Sequence, residues 1–202
     1  AVAPPSSPVA TRQLQSMPLL FPLVEAVLGG PTCFGEIGLR RMPAYQGKLH
    51  RAWHRDRPHF DAHALRCDYV QLIVYLSDVD SRTHCLSLSP ESVDEPVLHD
   101  NGEQLERGGI VDITGPAGTC VLFNASVLHT ATTRSTDSVR RSVQIYYGHR
   151  ARPPLANDSS IPPALWRDHP DAETRAFYGV LNERTRVLMR VFAESDHGEP
   201  HA

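Results

Sequence analysis

The 202-residue chain contains little cysteine, and its cysteines are not spaced as ligands or structural bridges usually are. There are four, Cys33, Cys67, Cys85 and Cys120, and no two of them form a C-x-x-C pair. Widely separated cysteines in a chain of this size argue against a zinc site or a disulfide framework and favour free buried thiols in a reducing compartment. We therefore expect a cytoplasmic protein.

The chain also lacks a strong excess of charge and a long apolar run. Its formal net charge is -3, and its basic residues are spread along the chain, unlike the clustered basic surface of nucleic-acid-binding proteins. The most apolar early stretch, residues 17–30, is too short for a membrane span. It also contains Glu25 and two prolines, which makes it unlike a secretory signal. We expect neither nucleic acid nor membrane as a partner, and the oligomeric state stays open.

Length and composition favour one domain. With 41% hydrophobic residues, the chain can build one packed core and is short for two. Residues 1–12 are rich in Pro, Ala and Ser and predict a flexible arm, with a single domain over residues 13–202. Apolar residues at helical spacing predict a short helix within residues 14–28 and a closing helix over residues 171–194.

Short runs of β-branched and aromatic residues predict strands between these helices. They fall at residues 34–42, 48–54, 69–76, 112–114, 119–123 and 140–147. Residues 86–92 and the polar stretch 93–109, with its Asn-Gly pair, predict an edge excursion and a hairpin. Residues 57–68 are polar and contain Pro58, which predicts a loop over the mouth of a site.

The second predicted strand ends in Trp53-His54-Arg55-Asp56. Side chains two residues apart leave an extended strand on the same side, so His54 and Asp56 can bind one metal ion. Two histidines and one carboxylate are the ligands of non-haem Fe(II) oxygenases, because they leave positions open on the metal. One further histidine would complete such a site.

A His-x-Asp pair is weak on its own, since the composition yields such pairs by chance. His59 and Asp61 form a second pair within the predicted loop, and His169 and Asp171 a third, in which Asp171 suits a helix N-terminus. On a helix, His50 would lie on the same face as His54 and could bind a metal ion with it, but the flanking residues favour a strand.

The strand at residues 140–147 has one polar face and one largely apolar face. The polar face carries Arg140, Ser142, Gln144 and Tyr146, and the other carries Arg141, Val143, Ile145 and Tyr147. A strand with one face in solvent and a strand lining a polar pocket both give this pattern. If it lines a pocket, Arg140 and not Arg141 points inward.

Taken together, these segments resemble the phytanoyl-CoA dioxygenase-like family of Fe(II)- and 2-oxoglutarate-dependent oxygenases, over roughly residues 33–180. The matching motifs are WHRD at 53–56, VQLIVYLSDVD at 70–80, GTCVLFNASVLHT at 118–130 and RRSVQIYYG at 140–148. The resemblance implies a mainly β fold, the double-stranded β-helix or jelly roll shared with cupins, with flanking helices towards both ends.

The resemblance implies that His54, Asp56 and His129 bind Fe(II) and serve in catalysis. In the family, an arginine eleven residues after the distal histidine holds 2-oxoglutarate, and that position is Arg140. The strand-face argument selects the same arginine. Its planar guanidinium suits a carboxylate because it can donate two charge-assisted hydrogen bonds, and Ser142 on the same face could bind that carboxylate too.

We therefore predict a dioxygenase that uses O2 and 2-oxoglutarate to hydroxylate or desaturate a small organic substrate, releasing succinate and CO2. Asp56 favours these outcomes, because halogenating relatives carry a small residue at that position. Two alternatives remain: a cupin-like metal-binding protein without oxygen chemistry, and a 2-oxoglutarate-independent cupin isomerase or ring-cleaving dioxygenase. The substrate-binding residues are not predicted. The chain is short for the family and has Pro90-Glu91-Ser92 where many relatives have a Pro-Gly-Ser-His turn.

Overall fold

The computed structural model describes residues 20–155 and 159–195. The helices are α1 (Leu20–Leu28), α2 (Asn101–Gly108), α3 (Pro163–Trp166), α4 (Ala172–Tyr178) and α5 (Glu183–Ser195). The strands are β1 (Thr32–Met42), β2 (Tyr69–Tyr75), β3 (Cys85–Leu88), β4 (Val111–Ile113), β5 (Cys120–Asn124), β6 (His129–Thr132) and β7 (Arg140–His149). Within the described ranges, no helix has the length and hydropathy needed to cross a bilayer.

The strands form two antiparallel sheets. The larger has the order β1-β7-β2-β5 and the smaller the order β4-β3-β6. A core cluster joins their inner faces, with Ile73 and Tyr75 from β2, Phe123 from β5 and Leu86 from β3. This arrangement confirms the predicted mainly β jelly roll, with helices towards both ends of the described chain.

Strand β2 lies at the centre of the larger sheet and is buried on both faces, as its apolar run predicts. Val70 and Leu72 face outwards and pack in a cluster with Leu28 of α1 and Phe177 of α4. Burying an aliphatic side chain of this kind stabilises the fold by about 1.5–3 kcal/mol. The helices therefore cover the back of the sheet and leave its inner face to the site.

The prediction of a continuous strand at residues 48–54 is wrong. The segment runs antiparallel to β6 and the residues after it, through isolated bridges such as His50 to Thr133. Between the bridges, side chains replace backbone partners: the N–H of Ala52 donates to Thr130 Oγ1 at 2.9 Å. A period-two pattern cannot distinguish this pairing from a regular ladder.

The predicted hairpin within residues 93–109 is also wrong. Asn101 and Gly102 begin helix α2, and the Asp100 side chain caps this helix by accepting the N–H of Glu103 at 3.0 Å. The edge excursion predicted at residues 86–92 is wrong as well, because β3 ends at Leu88 and lies between β4 and β6 in the smaller sheet. An Asn-Gly pair suits a hairpin turn, but here the aspartate before it caps a helix.

The terminal segments match the predictions in part. Helix α1 confirms the second half of the helix predicted at residues 14–28, whereas its start and the arm at residues 1–12 lie outside the described residues. The single helix predicted at residues 171–194 is divided into α4 and α5. Asp171 caps α4 by accepting the N–H of Thr174, as predicted. Asn182 accepts the N–H of Thr185 and begins a new helix.

The cysteines remain thiols, as predicted, in the part of the chain that the structure describes. Cys33, Cys67 and Cys85 are buried, but Cys120 is exposed. The expectation of burial is therefore wrong for Cys120.

Candidate active site

A cavity of about 260 Å³ opens between the two sheets. Its walls contain Glu36, Arg40, His54, Asp56, Gln71, Ile73, Leu86, His129, Ala131, Arg140, Gln144, Tyr146 and Leu155. The cavity therefore contains the predicted iron ligands and the predicted arginine together.

His54 and His129 face one another across the bridge between the ligand segment and β6. Each backbone N–H donates to the carbonyl oxygen of the other histidine at 3.0 Å. Directly opposite residues of an antiparallel pair project to the same side, and the two ring centroids lie 4.4 Å apart. Backbone pairing thus brings together two histidines that are distant in sequence.

Hydrogen bonds to the backbone orient both imidazole rings. Nδ1 of His54 lies 2.8 Å from the carbonyl oxygen of Ala52, and Nδ1 of His129 lies 2.9 Å from that of Val127. Since a carbonyl oxygen only accepts, each Nδ1 is the donor. Each Nε2 is then left with its lone pair directed towards Asp56, at 3.4 Å from the carboxylate in both cases. This is the tautomer that a histidine needs to bind a metal through Nε2.

The Asp56 carboxylate is held in place by Tyr146, whose hydroxyl donates to Oδ2 at 2.7 Å. Burial raises the pKa of Asp56, but its contacts with His129, His54 and Tyr146 lower the pKa by more, so the net pKa is lowered. Burial, reinforced by the carboxylate, raises the pKa of Tyr146. The aspartate is therefore ionised and the tyrosine protonated. Sequence analysis placed Tyr146 on the inward face but assigned it no role.

The donor atoms of His54, Asp56 and His129 all lie within 4.8 Å of one another. Two imidazole lone pairs and one carboxylate that converge in this way form a set that suits a divalent metal ion. The other predicted pair, His59 and Asp61, does not belong to this cluster, and neither does His50. The residues present therefore fit an iron ion.

Arg140 lies on the inward face of β7 and is 2% exposed, whereas its neighbour Arg141 is exposed. The pocket interpretation of the alternating strand is therefore confirmed. Nη2 of Arg140 lies 3.5 Å from Ser142 Oγ, and its guanidinium carbon lies 5.3 Å from the centroid of the Tyr75 ring. Burial lowers the pKa of Arg140.

Two nitrogens of Arg140, Nε and Nη1, are buried without a hydrogen-bond partner among the described residues. Unpaired buried donors on a cation are costly, and a carboxylate in the cavity would relieve this cost by accepting hydrogen bonds from Nη2 and from one of these two nitrogens. The cavity therefore fits the distal carboxylate of 2-oxoglutarate as well as the metal.

The wall that β1 contributes to the cavity was not predicted from the sequence. Glu36 and Arg40 line the cavity from this strand, where they pair with Tyr146 and Ser142 of β7. Gly38 lies between them on the same face, and a Cβ built on it would meet no atom within 4 Å. The signal was present as two charged residues four positions apart on one face of the strand, but nothing in the sequence showed which side of β1 faced inward.

Buried carboxylates outside the cavity hold the ligand segment. Arg57 makes a two-pronged ion pair with Asp68, whose side chain is 3% exposed. Arg55 pairs with Glu91 at 2.6 Å. Burial raises the pKa of Glu91, but its contacts with His59, Leu128 and Arg55 lower it overall. Sequence analysis gave Arg55 and Arg57 no partner.

Two histidines and one carboxylate in an open cavity of a jelly roll are the donor set of non-haem Fe(II) oxygenases. The sequence matches the family model described as Phytanoyl-CoA dioxygenase (PhyH) over residues 8–142, and the chain belongs to this family. Its members are Fe(II)- and 2-oxoglutarate-dependent oxygenases, so these are the cofactors that membership assigns to the site.

The chain is also similar to individual proteins. L-proline trans-4-hydroxylase of Streptomyces griseoviridis is 24% identical over 188 residues, which cover 74% of this chain and 70% of the relative. The solved EctD of S. alaskensis with 2-oxoglutarate and 5-hydroxyectoine is 23% identical, with a TM-score of 0.61, covering 85% of this chain and 64% of EctD. AviO1 of Streptomyces viridochromogenes Tue57 is 25% identical, with a TM-score of 0.56, covering 71% and 62%. The chain thus spans less than two thirds of either solved protein.

Proposed function

We propose that this chain is a dioxygenase that hydroxylates a small polar organic molecule, with conversion of 2-oxoglutarate to succinate and CO2. One observation carries the proposal: the converging donors of His54, Asp56 and His129 share a cavity with the unpaired, buried guanidinium of Arg140. The first set suits iron and the second suits a carboxylate.

Each residue has a defined task in this proposal. His54, Asp56 and His129 hold the metal, and Tyr146 fixes the orientation of the aspartate. Arg140, assisted by Ser142, binds the carboxylate of 2-oxoglutarate. When bound, iron and 2-oxoglutarate supply the activation of O2 and the oxidation of a substrate C–H bond. The protein orients the substrate and limits the access of water.

The cavity supports a small and polar substrate. Its volume of about 260 Å³ is at the low end for ligand sites. Residues of both charges, Glu36 and Arg40, stand on the β1 wall beside the amide of Gln144. As its name states, the hydroxylase relative acts on L-proline. We propose an amino acid or a similarly compact charged molecule as substrate.

Succinate release tests this function directly. Purified protein with Fe(II), ascorbate, O2 and 2-oxoglutarate should form succinate slowly by itself and faster with a substrate found in a panel of free amino acids that includes L-proline. The Asp56→Ala variant should lose this activity. Absence of succinate together with absence of anaerobic binding of Fe(II) and 2-oxoglutarate would show that the proposal is wrong.

The same assay separates the alternatives. A metal-binding protein without oxygen chemistry would bind Fe(II) and remain indifferent to 2-oxoglutarate. A 2-oxoglutarate-independent enzyme would convert substrate at equal rates with and without the cosubstrate.

A further inference from the structure

Glu91 does not line the cavity, yet it contacts both segments that carry the candidate ligands. Its Oε1 accepts hydrogen bonds from Arg55 Nη2 at 2.6 Å and from the backbone N–H of Leu128 at 3.1 Å. Its Oε2 lies 2.8 Å from Nε2 of His59. One carboxylate therefore joins three points of the chain around the site.

These contacts are adjacent in sequence to all three candidate ligands. Arg55 lies between His54 and Asp56, and Leu128 directly precedes His129. A displacement of the carboxylate would be transmitted through the arginine to two ligands and through the leucine N–H to the third. The carboxylate is thus placed to set the spacing between the two ligand-bearing segments.

The three side chains of this contact are well shielded from water. Those of Glu91 and His59 are each 8% exposed, and that of Arg55 is 13% exposed. Charge-assisted hydrogen bonds are strong in such surroundings, and removing one partner of a buried pair is costly. Because the ligand segment has isolated bridges in place of a ladder, it depends on such contacts for its position.

We propose that Glu91 is a positioning residue for the metal centre, which fixes the distance between the His54 and Asp56 segment and the turn before His129. The inference rests on the proposed function through its metal site. Residues that orient metal ligands from outside typically change metal affinity by about 10–100-fold when they are replaced.

Cobalt titration of the metal-free 202-residue chain tests the proposal. The Glu91→Gln variant keeps the size of the side chain and removes its charge. We expect Co(II) to bind about 10-fold more weakly, or weaker still, with an altered visible absorption band, because the donors no longer converge as before. The absorption band reports coordination geometry, which a general loss of stability does not change.

Asn182→Ala is the matched control. Asn182 is 3% exposed and bonds to Thr185 and Ser159, away from the cavity. Its replacement should lower the unfolding temperature while Co(II) affinity and absorption stay as in the wild type. Arg55→Gln is a second test, which cuts the link to the first segment and leaves Glu91 beside Leu128. It too should weaken Co(II) binding.

The outcomes are distinguishable. If the wild type binds Co(II) and 2-oxoglutarate but folded Glu91→Gln and Arg55→Gln variants bind Co(II) equally well, the role of Glu91 is refuted and the proposed function stands. If Glu91→Gln does not fold, unchanged affinity in Arg55→Gln alone refutes it. If the wild type binds no Co(II), the metal site fails, and the proposed function and this inference fall together.

Discussion

Two walls of the cavity are held in place by different means. Strand β7, which carries Arg140 and Ser142, is a regular strand paired on one side with β1 and on the other with β2. The segment that carries His54 and Asp56 makes isolated bridges and is held by its side chains. Regular pairing fixes the direction of a side chain through the period of the strand, whereas side-chain tethers depend on contacts with distant residues.

This difference between regular pairing and side-chain contacts indicates where substitutions are tolerated. Strand β7 should keep its backbone structure when Arg140 is replaced, because backbone hydrogen bonds to β1 and β2 hold the strand in place. The proposed metal side depends on the buried carboxylates Glu91 and Asp68, which do not line the cavity. The following substitutions test this contrast in order of decreasing expected effect.

Replacing Arg140 by Met should separate function from stability. Loss of two charge-assisted hydrogen bonds, each about 1.5–3 kcal/mol, should weaken 2-oxoglutarate binding by about 100-fold or more. The metal-free protein should be as stable as the wild type or more stable, because the variant removes an unpaired buried charge. Anaerobic calorimetric titration with Fe(II) present and thermal unfolding measure the two effects.

Arg141→Met is the control, since this neighbour is exposed on the opposite face. It should leave cosubstrate affinity unchanged. Equal losses in the two variants would mean that Arg140 acts through the general charge of the strand and does not contact the cosubstrate.

Replacing Asp68 by Asn should lower the free energy of unfolding by about 3 kcal/mol. The variant leaves Arg57 in a buried position without its charged partner, which is the costly way to break an ion pair. Urea unfolding of the metal-free protein measures this loss. Asp80→Asn, in an exposed pair with Arg82, should change little. A similar effect in both variants would contradict the role assigned to burial.

Replacing Thr130 by Val should give the smallest effect, about 1 kcal/mol. The valine keeps the shape of the side chain but leaves the N–H of Ala52 without its acceptor. Urea unfolding again supplies the measurement. An unchanged stability would mean that water or a shift of the segment satisfies this N–H, so the tether would be weaker than the structure indicates.

The sequence predicted those features that follow from local periodicity. The alternation in β7 selected Arg140 over Arg141, and the apolar run of β2 identified the central strand. The ligand segment was predicted in position but not in form, because Thr130 supplies an acceptor that a ladder would take from the backbone. Sequence patterns describe one stretch at a time and contain no information about such distant partners.

Helix boundaries depended on single side chains. Asp100 caps a helix that begins at the Asn-Gly pair. Asn182 caps the second of the two helices that replace the single predicted helix. Both residues are good caps, but both are also common in loops. The partners of Glu91 were beyond reach for another reason, since its contacts join residues more than thirty positions apart.

Gly38 has no side chain, and the space beside it lies between two residues that line the cavity. The residue lies in an ordinary strand conformation, and a Cβ there would meet nothing within 4 Å, so neither backbone strain nor a clash opposes an alanine. Every added carbon would take space between Glu36 and Arg40. We therefore expect substitutions from alanine to phenylalanine at this position to reduce the size of substrate that the cavity accepts in steps, which activity measurements on each variant would show.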